Sequence, residues 1–164
     1  MSANILVTME HDRERNAIGA CLENVGYTVV RVDTFHKAMD CLRKCDFDLI
    51  VTDVHLQNGG SVFDFLRWVK GDPHMRGVPF VCFSAEPLLA GNYLSDGVRT
   101  AARSLGAARY IAMAKFDSTV FMHEIEWLIP ENRTGNYYSG NHDHIDDHHN
   151  GEVKGGDPGK VAAK

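Results

Sequence analysis

With 164 residues, 44% of them hydrophobic and 24% charged, the chain can bury one ordinary core and leaves too little for a second folded domain. Its formal net charge of -5 excludes a basic footprint for direct nucleic-acid binding, no basic-plus-apolar leader opens it, and no apolar run nears the ~20 residues that span a bilayer. The expectation is a cytoplasmic protein with neither nucleic acid nor membrane as a direct partner. Cys21, Cys41, Cys45 and Cys82 lie inside apolar-periodic segments without a Cys-x-x-Cys spacing, and they read as small reduced core residues.

Asn4 to Met9 is a short run with β-branched members, halted by Glu10-His11-Asp12, which predicts a first buried strand. From Arg13 to Val25, Ala17, Ile18, Cys21, Leu22 and Val25 share one helical face, and Gly26 closes the helix where a left-handed cap is favoured. Tyr27 to Val32 predicts a second strand, and Thr34 an N-cap for a helix burying Ala38, Cys41, Leu42 and Cys45. Asp48 to Thr52 is the most apolar strand and leads to Asp53. Val62, Phe65, Leu66 and Val69 have helical spacing, ended by Gly71-Asp72-Pro73. Val78 to Ser84 predicts a fourth strand. A long connection with Pro87, Gly91 and Gly97 precedes a helix through Val98, Ala101, Ala102 and Leu105, capped by Gly106. Tyr110 to Lys115 predicts a fifth strand, and Thr119 to Ile129 a last helix using Val120, Ile125 and Leu128, stopped by Pro130.

Strands alternating with helices through short polar connections argue for an α/β fold with a central parallel sheet. Such sheets do their chemistry outside the carboxyl ends of the strands. The residues to inspect are therefore Met9 to Asp12, Asp53, Ser84-Ala85 and Met113 to Lys115. Asp53 is the most informative, a carboxylate where an apolar strand opens into Val54-His55-Leu56-Gln57-Asn58-Gly59-Gly60. Beyond residue 130 the composition turns to Asn, Gly, Asp, His and Lys, as in a disordered tail over 130–164. Its run His142-Asp143-His144-Ile145-Asp146-Asp147-His148-His149 has imidazoles and carboxylates but no structural metal-site spacing.

Together, Ile5-Leu6-Val7 before an acidic turn, Leu22 to Val29, Phe47 to Asp53, Pro79 to Ala85, and Leu105-Gly106-Ala107 before Tyr110 resemble the receiver domain of two-component response regulators. The resemblance covers residues 4–129, and it is the order and spacing of the motifs that make it specific. It implies a flavodoxin-like (βα)5 doubly wound parallel sheet of strand order 2-1-3-4-5, as one receiver domain over 1–129. It also implies that Asp53 accepts a phosphoryl group from a histidine kinase or a phosphotransfer protein. Mg2+ would be held by Glu10, Asp53 and the backbone carbonyl of His55, with Asp12 as a further candidate. Ser84 would supply the hydroxyl, Lys115 the cation, and Ser84 with Tyr110 the switch. A receiver of this kind is not an enzyme; lacking an output domain, it signals to a downstream protein target by protein-protein contact in a phosphorelay.

This sequence departs from the family pattern at two charged positions. The register set by Ile5-Leu6-Val7 and Arg15 puts Met9 where the first of two adjacent acids belongs, and a thioether adds nothing to a site for a small hard cation. Three residues beyond Tyr110 stands Met113 in place of the lysine. Lys115 shares its strand parity, so a longer strand or a bulge would aim its ammonium at Asp53, and both assignments stay open. The alternative function is therefore a phosphorylation-independent pseudo-receiver, the same fold used as a protein-interaction module. An aspartate-nucleophile phosphatase needs a second acid two residues on, where His55 stands. A flavin-binding reading fails because Glu10-His11-Asp12 is no hydroxyl- and glycine-rich phosphate cradle.

Overall fold

Apolar runs and amphipathic stretches become strands and helices in strict succession. The computed structural model describes residues 2–54, 60–85 and 91–130, without the side chains of 91–95. Among these residues the elements are β1 (Asn4–Thr8), α1 (Asp12–Val25), β2 (Thr28–Val32), α2 (Phe35–Lys44), β3 (Leu49–Asp53), α3 (Val62–Gly71), β4 (Phe80–Ser84), α4 (Gly91–Ser104), β5 (Arg109–Ala112) and α5 (Ser118–Ile125). A 3-10 turn, Glu126–Leu128, prolongs α5. All pairings are parallel and the strand order is β2-β1-β3-β4-β5, the flavodoxin-like arrangement expected. His55, the turn through Gln57-Asn58-Gly59, most of the connection after Ser84, and the tail from 131 onward lie outside the described residues.

Period-two alternation sorts the side chains into two apolar layers. Ile5, Val7, Leu49, Val51, Val81, Phe83 and Ile111 face Ile18 and Leu22 of α1 and Phe121 and Ile125 of α5. Leu6, Ile50, Phe80 and Cys82 face Phe35 and Leu42 of α2, Phe65 and Leu66 of α3, and Ala102 of α4. Each fully buried Phe, Leu or Ile contributes about 1.5–3 kcal/mol, so these layers hold the molecule together. β3 and β4 are buried along their whole lengths, which is why apolar residues follow one another without alternation until Thr52-Asp53 and Ser84 at their ends. β2, at the sheet edge, is half-exposed.

Local signals set the helix ends. Gly26 adopts φ 106° at the end of α1, a conformation that glycine alone takes without strain. Thr34 Oγ1 accepts from Lys37 N at 3.2 Å, and Asp117 accepts from Thr119 N and Val120 N at 3.0 and 3.1 Å.

Several expected details differ. α4 begins at Gly91 and runs through Gly97, rather than starting near Val98. Val98, Ala102 and Leu105 keep a helical period and pack in the second apolar layer, which outweighs the cost of about 1 kcal/mol for Gly97 inside the helix. β5 stops at Ala112 instead of Lys115, because a bend and the Asp117 cap start the approach to α5. Val25 and Val120, expected on buried helix faces, are exposed, as is Cys45, which lies past the end of α2. Cys21 and Cys82 are buried, Cys41 is half-buried, and all four thiols are free.

Candidate functional site

The chain leaves β1 for β2 on one side of the sheet and returns to β3 on the other, so strand order reverses between β1 and β3. Ligands of open parallel sheets bind at such a reversal, outside the carboxyl ends. Asp53, the last residue of β3, is there, with only 7% of its surface exposed. Thr8 pairs with Thr52, so Met9 and Asp53 leave their strands side by side, and Glu10 follows one residue on. Asp53 in turn pairs with Phe83, which brings Ser84, 2% exposed, to the end of the adjacent strand. The backbone here is well held: Thr52 Oγ1 donates to Asp53 O at 3.2 Å, and Val54 N to Phe83 O at 3.3 Å.

Both methionines at these strand ends pack with the core. Met9 is fully buried in the layer that faces α1 and α5. Met113 is half-buried against the same layer, and its amide donates to Ser84 O at 2.9 Å. Phe116, tilted against Phe121 at 5.4 Å and edge-on to Phe83 at 6.2 Å, completes an apolar wall. Lys115 is exposed in the bend after β5, and among the described residues no ion pair joins it to a carboxylate. The route by a longer fifth strand is thus absent, since β5 ends three residues earlier. Tyr110 pairs with Cys82 and packs on the opposite face, with the Arg99 guanidinium 5.4 Å from its ring centre. Burial pushes the Cys82 thiol up to about 12, so it is a filler rather than a nucleophile.

At the β1 end, Asp12 is 83% exposed and bonded to Arg15, whose Nη1 also donates to Met9 O at 2.9 Å and Glu10 O at 3.1 Å. In the sequence Arg15 marks only the register of the first helix, and the one signal of this further role is a long forked donor in that helix's first turn. Asp33, just past β2, also went unremarked; Lys37 Nζ donates to it at 2.8 Å and holds its carboxyl below the ordinary value of 3.8.

The structure is similar to solved signal receivers. The receiver domain of a signal transduction histidine kinase from Syntrophus aciditrophicus matches with a TM-score of 0.65 and 21% identity, over 77% of this chain and 89% of that one. A chemotaxis response regulator of Vibrio cholerae matches at 0.65 and 18%, over 79% and 100%. The chain has the receiver fold. The receiver domain of a sensor histidine kinase from Pseudomonas aeruginosa, described with a magnesium ion coordinated in its active-site cleft, matches this chain at 0.63 and 20% identity, over 78% and 98%. No protein-family model and no curated protein sequence matches.

Among the described residues no group of three or more His, Cys, Asp or Glu side chains is arranged to hold a metal ion. Magnesium, however, keeps several waters and takes only one or two carboxylates. Glu10, half-buried, and Asp53 are hard oxygen donors at neighbouring strand ends and fit that smaller demand. Asp12, exposed on the same turn, bonds Arg15 through one carboxylate oxygen. None of the described helices is long and apolar enough to cross a membrane.

Proposed function

We propose that this receiver accepts a phosphoryl group on Asp53 from a histidine kinase or phosphotransfer protein and signals, as a non-enzymatic cytoplasmic module, to a downstream protein target. The observation that carries the reading is the placement of a nearly buried carboxylate and a nearly buried hydroxyl, Asp53 and Ser84, at the carboxyl ends of adjacent strands. In the transfer an Asp53 oxygen attacks phosphorus and forms the O–P bond of an acyl phosphate. The P–N bond of the donor phosphohistidine breaks, and the imidazole leaves with the bonding pair and takes up a proton.

Ser84 donates its hydroxyl to the arriving phosphoryl group, Lys115 supplies a cation from the bend after β5, and Tyr110 relays the change to the surface beside Arg99. Magnesium, when bound, neutralises charge on the transferring oxygens, and Glu10, Asp53 and the His55 carbonyl would hold it. The receiver spans 1–129 in this reading, with a tail over 130–164.

A second reading, the phosphorylation-independent interaction module, is favoured by one specific observation: Met9 is fully buried and Met113 packs half-buried against the same layer, where the resembled pattern calls for charge. Incubation with acetyl phosphate and Mg2+, followed by intact-mass measurement, separates the two. A phosphoryl adduct lost in Asp53→Asn and slowed in Ser84→Ala supports the first; no adduct at any Mg2+ concentration leaves the second.

A further inference from the structure

The turn between β1 and α1 carries a device that neither the acids nor the switch residues account for. α1 starts with His11 as its N-cap, whose side chain satisfies none of the free amides of the first turn. Arg15, one turn into the helix, reaches back over that turn to its carbonyls. Its Nη1 donates to the carbonyls of Met9 and Glu10 at 2.9 and 3.1 Å, and its Nη2 bonds the Asp12 carboxylate. The Arg15 side chain is 18% exposed against 83% for Asp12, so the fork lies on the protein and the acid closes it from solvent. Met9 N donates to Val32 O and Arg15 N to His11 O, both at 3.1 Å, which ties the two ends of the turn to β2 and α1.

We propose that Arg15 is a positioning residue: its guanidinium fixes the carbonyls of Met9 and Glu10, and with them the backbone that carries Glu10 past the end of β1 beside β3. A planar fork suits this task, since one rigid group satisfies two carbonyls and a carboxylate, whereas a lysine offers a point charge on a flexible stem. The same contacts hold one Asp12 carboxylate oxygen to the clamp. The consequence for cation binding rests on the reading that Glu10 and Asp53 hold magnesium; the clamp itself does not.

Arg15→Lys and Arg15→Ala in the full chain test it through two readouts. Without metal, native-state amide exchange at Met9 and Arg15 should quicken about tenfold in both variants relative to the core amide of Val51, because opening the turn no longer breaks three contacts. With Mn2+ as the probe, followed by paramagnetic broadening of the turn resonances, the dissociation constant should rise about tenfold in both variants, as for other outer residues that orient ligands. Exchange at the wild-type rate in Arg15→Ala overturns the clamp, and so does full recovery of both readouts by Arg15→Lys. Mn2+ affinity within about twofold of wild type removes its role in positioning Glu10. A wild-type chain that binds no Mn2+ counts instead against the phosphoacceptor reading, and amide exchange then decides the clamp alone.

Discussion

Asp33 and Lys37 form an ion pair at the start of α2, and its linkage to pH follows from its geometry. Lys37 donates to Asp33 at 2.8 Å, and this hydrogen bond, ahead of the Coulomb attraction of Lys37 and of Arg15, lowers the carboxyl from its ordinary 3.8. A depressed acid contributes stability that is present above its unfolded value and is lost as pH falls through the folded one. Lys37→Ala should therefore bring the Asp33 carboxyl back up toward 3.8, read from its 13C chemical shift against pH; an unchanged midpoint would show that the pair is not formed in solution. At this scale Asp53 and Ser84 were legible in the sequence, because strand ends beside glycines and polar turns mark a rim whatever the tertiary packing. Arg15 was not, since its partners become neighbours only once the turn has closed. Cys45 was misread because the four-residue spacing from Cys41 continues one step past the end of the helix.

Elements followed the same division. The order of strands and helices was legible from hydrophobic period alone, while their ends were not: α4 ran through two glycines and β5 stopped short. Glycine and lysine at those places signal local preference, and the packing of the α4 repeat and the Asp117 cap overrode it. α1 offers a quantitative case. A Cβ at Gly19 would collide with Arg31 Nε, which crosses the helix so that Arg31 Nη2 meets Glu23 at 2.7 Å. Gly19→Ala gains about 0.8–1.0 kcal/mol of helix propensity but must displace Arg31. That breaks a pair worth about 0.2–1 kcal/mol, along with its packing, so little or no net gain is expected in the wild-type background. In an Arg31→Ala background the same change should stabilise by the full propensity term. Urea unfolding of the four proteins of this cycle should give a coupling near 1 kcal/mol. Additivity within about 0.3 kcal/mol would mean that the two side chains do not compete.

For the whole molecule, the fold and the chemistry of its rim are separable. Met9 lies inside one apolar layer and Met113 packs against it, because a buried thioether packs where a charge would need a partner. Placing an acid there should expose that separation. Met9→Asp removes a fully buried side chain and adds an acid, so without metal the protein should lose about 2–5 kcal/mol. Mg2+ should restore part of it, about 2.7 kcal/mol at a hundredfold excess over the dissociation constant. The urea midpoint with and without Mg2+ checks this: a variant that gains no more from Mg2+ than wild type rules out Met9 as the missing acid.

The order β2-β1-β3-β4-β5 also determines when during folding such a rim comes into existence. Glu10, Asp53 and Ser84 are far apart in the chain and meet only after the crossovers between their strands have closed, each against its own loop entropy. A partly folded chain can hold native helices and still have no rim at all. Any ligand of that rim therefore recognises completed chains and ignores intermediates, which makes its binding a direct gauge of how much of a preparation has finished folding.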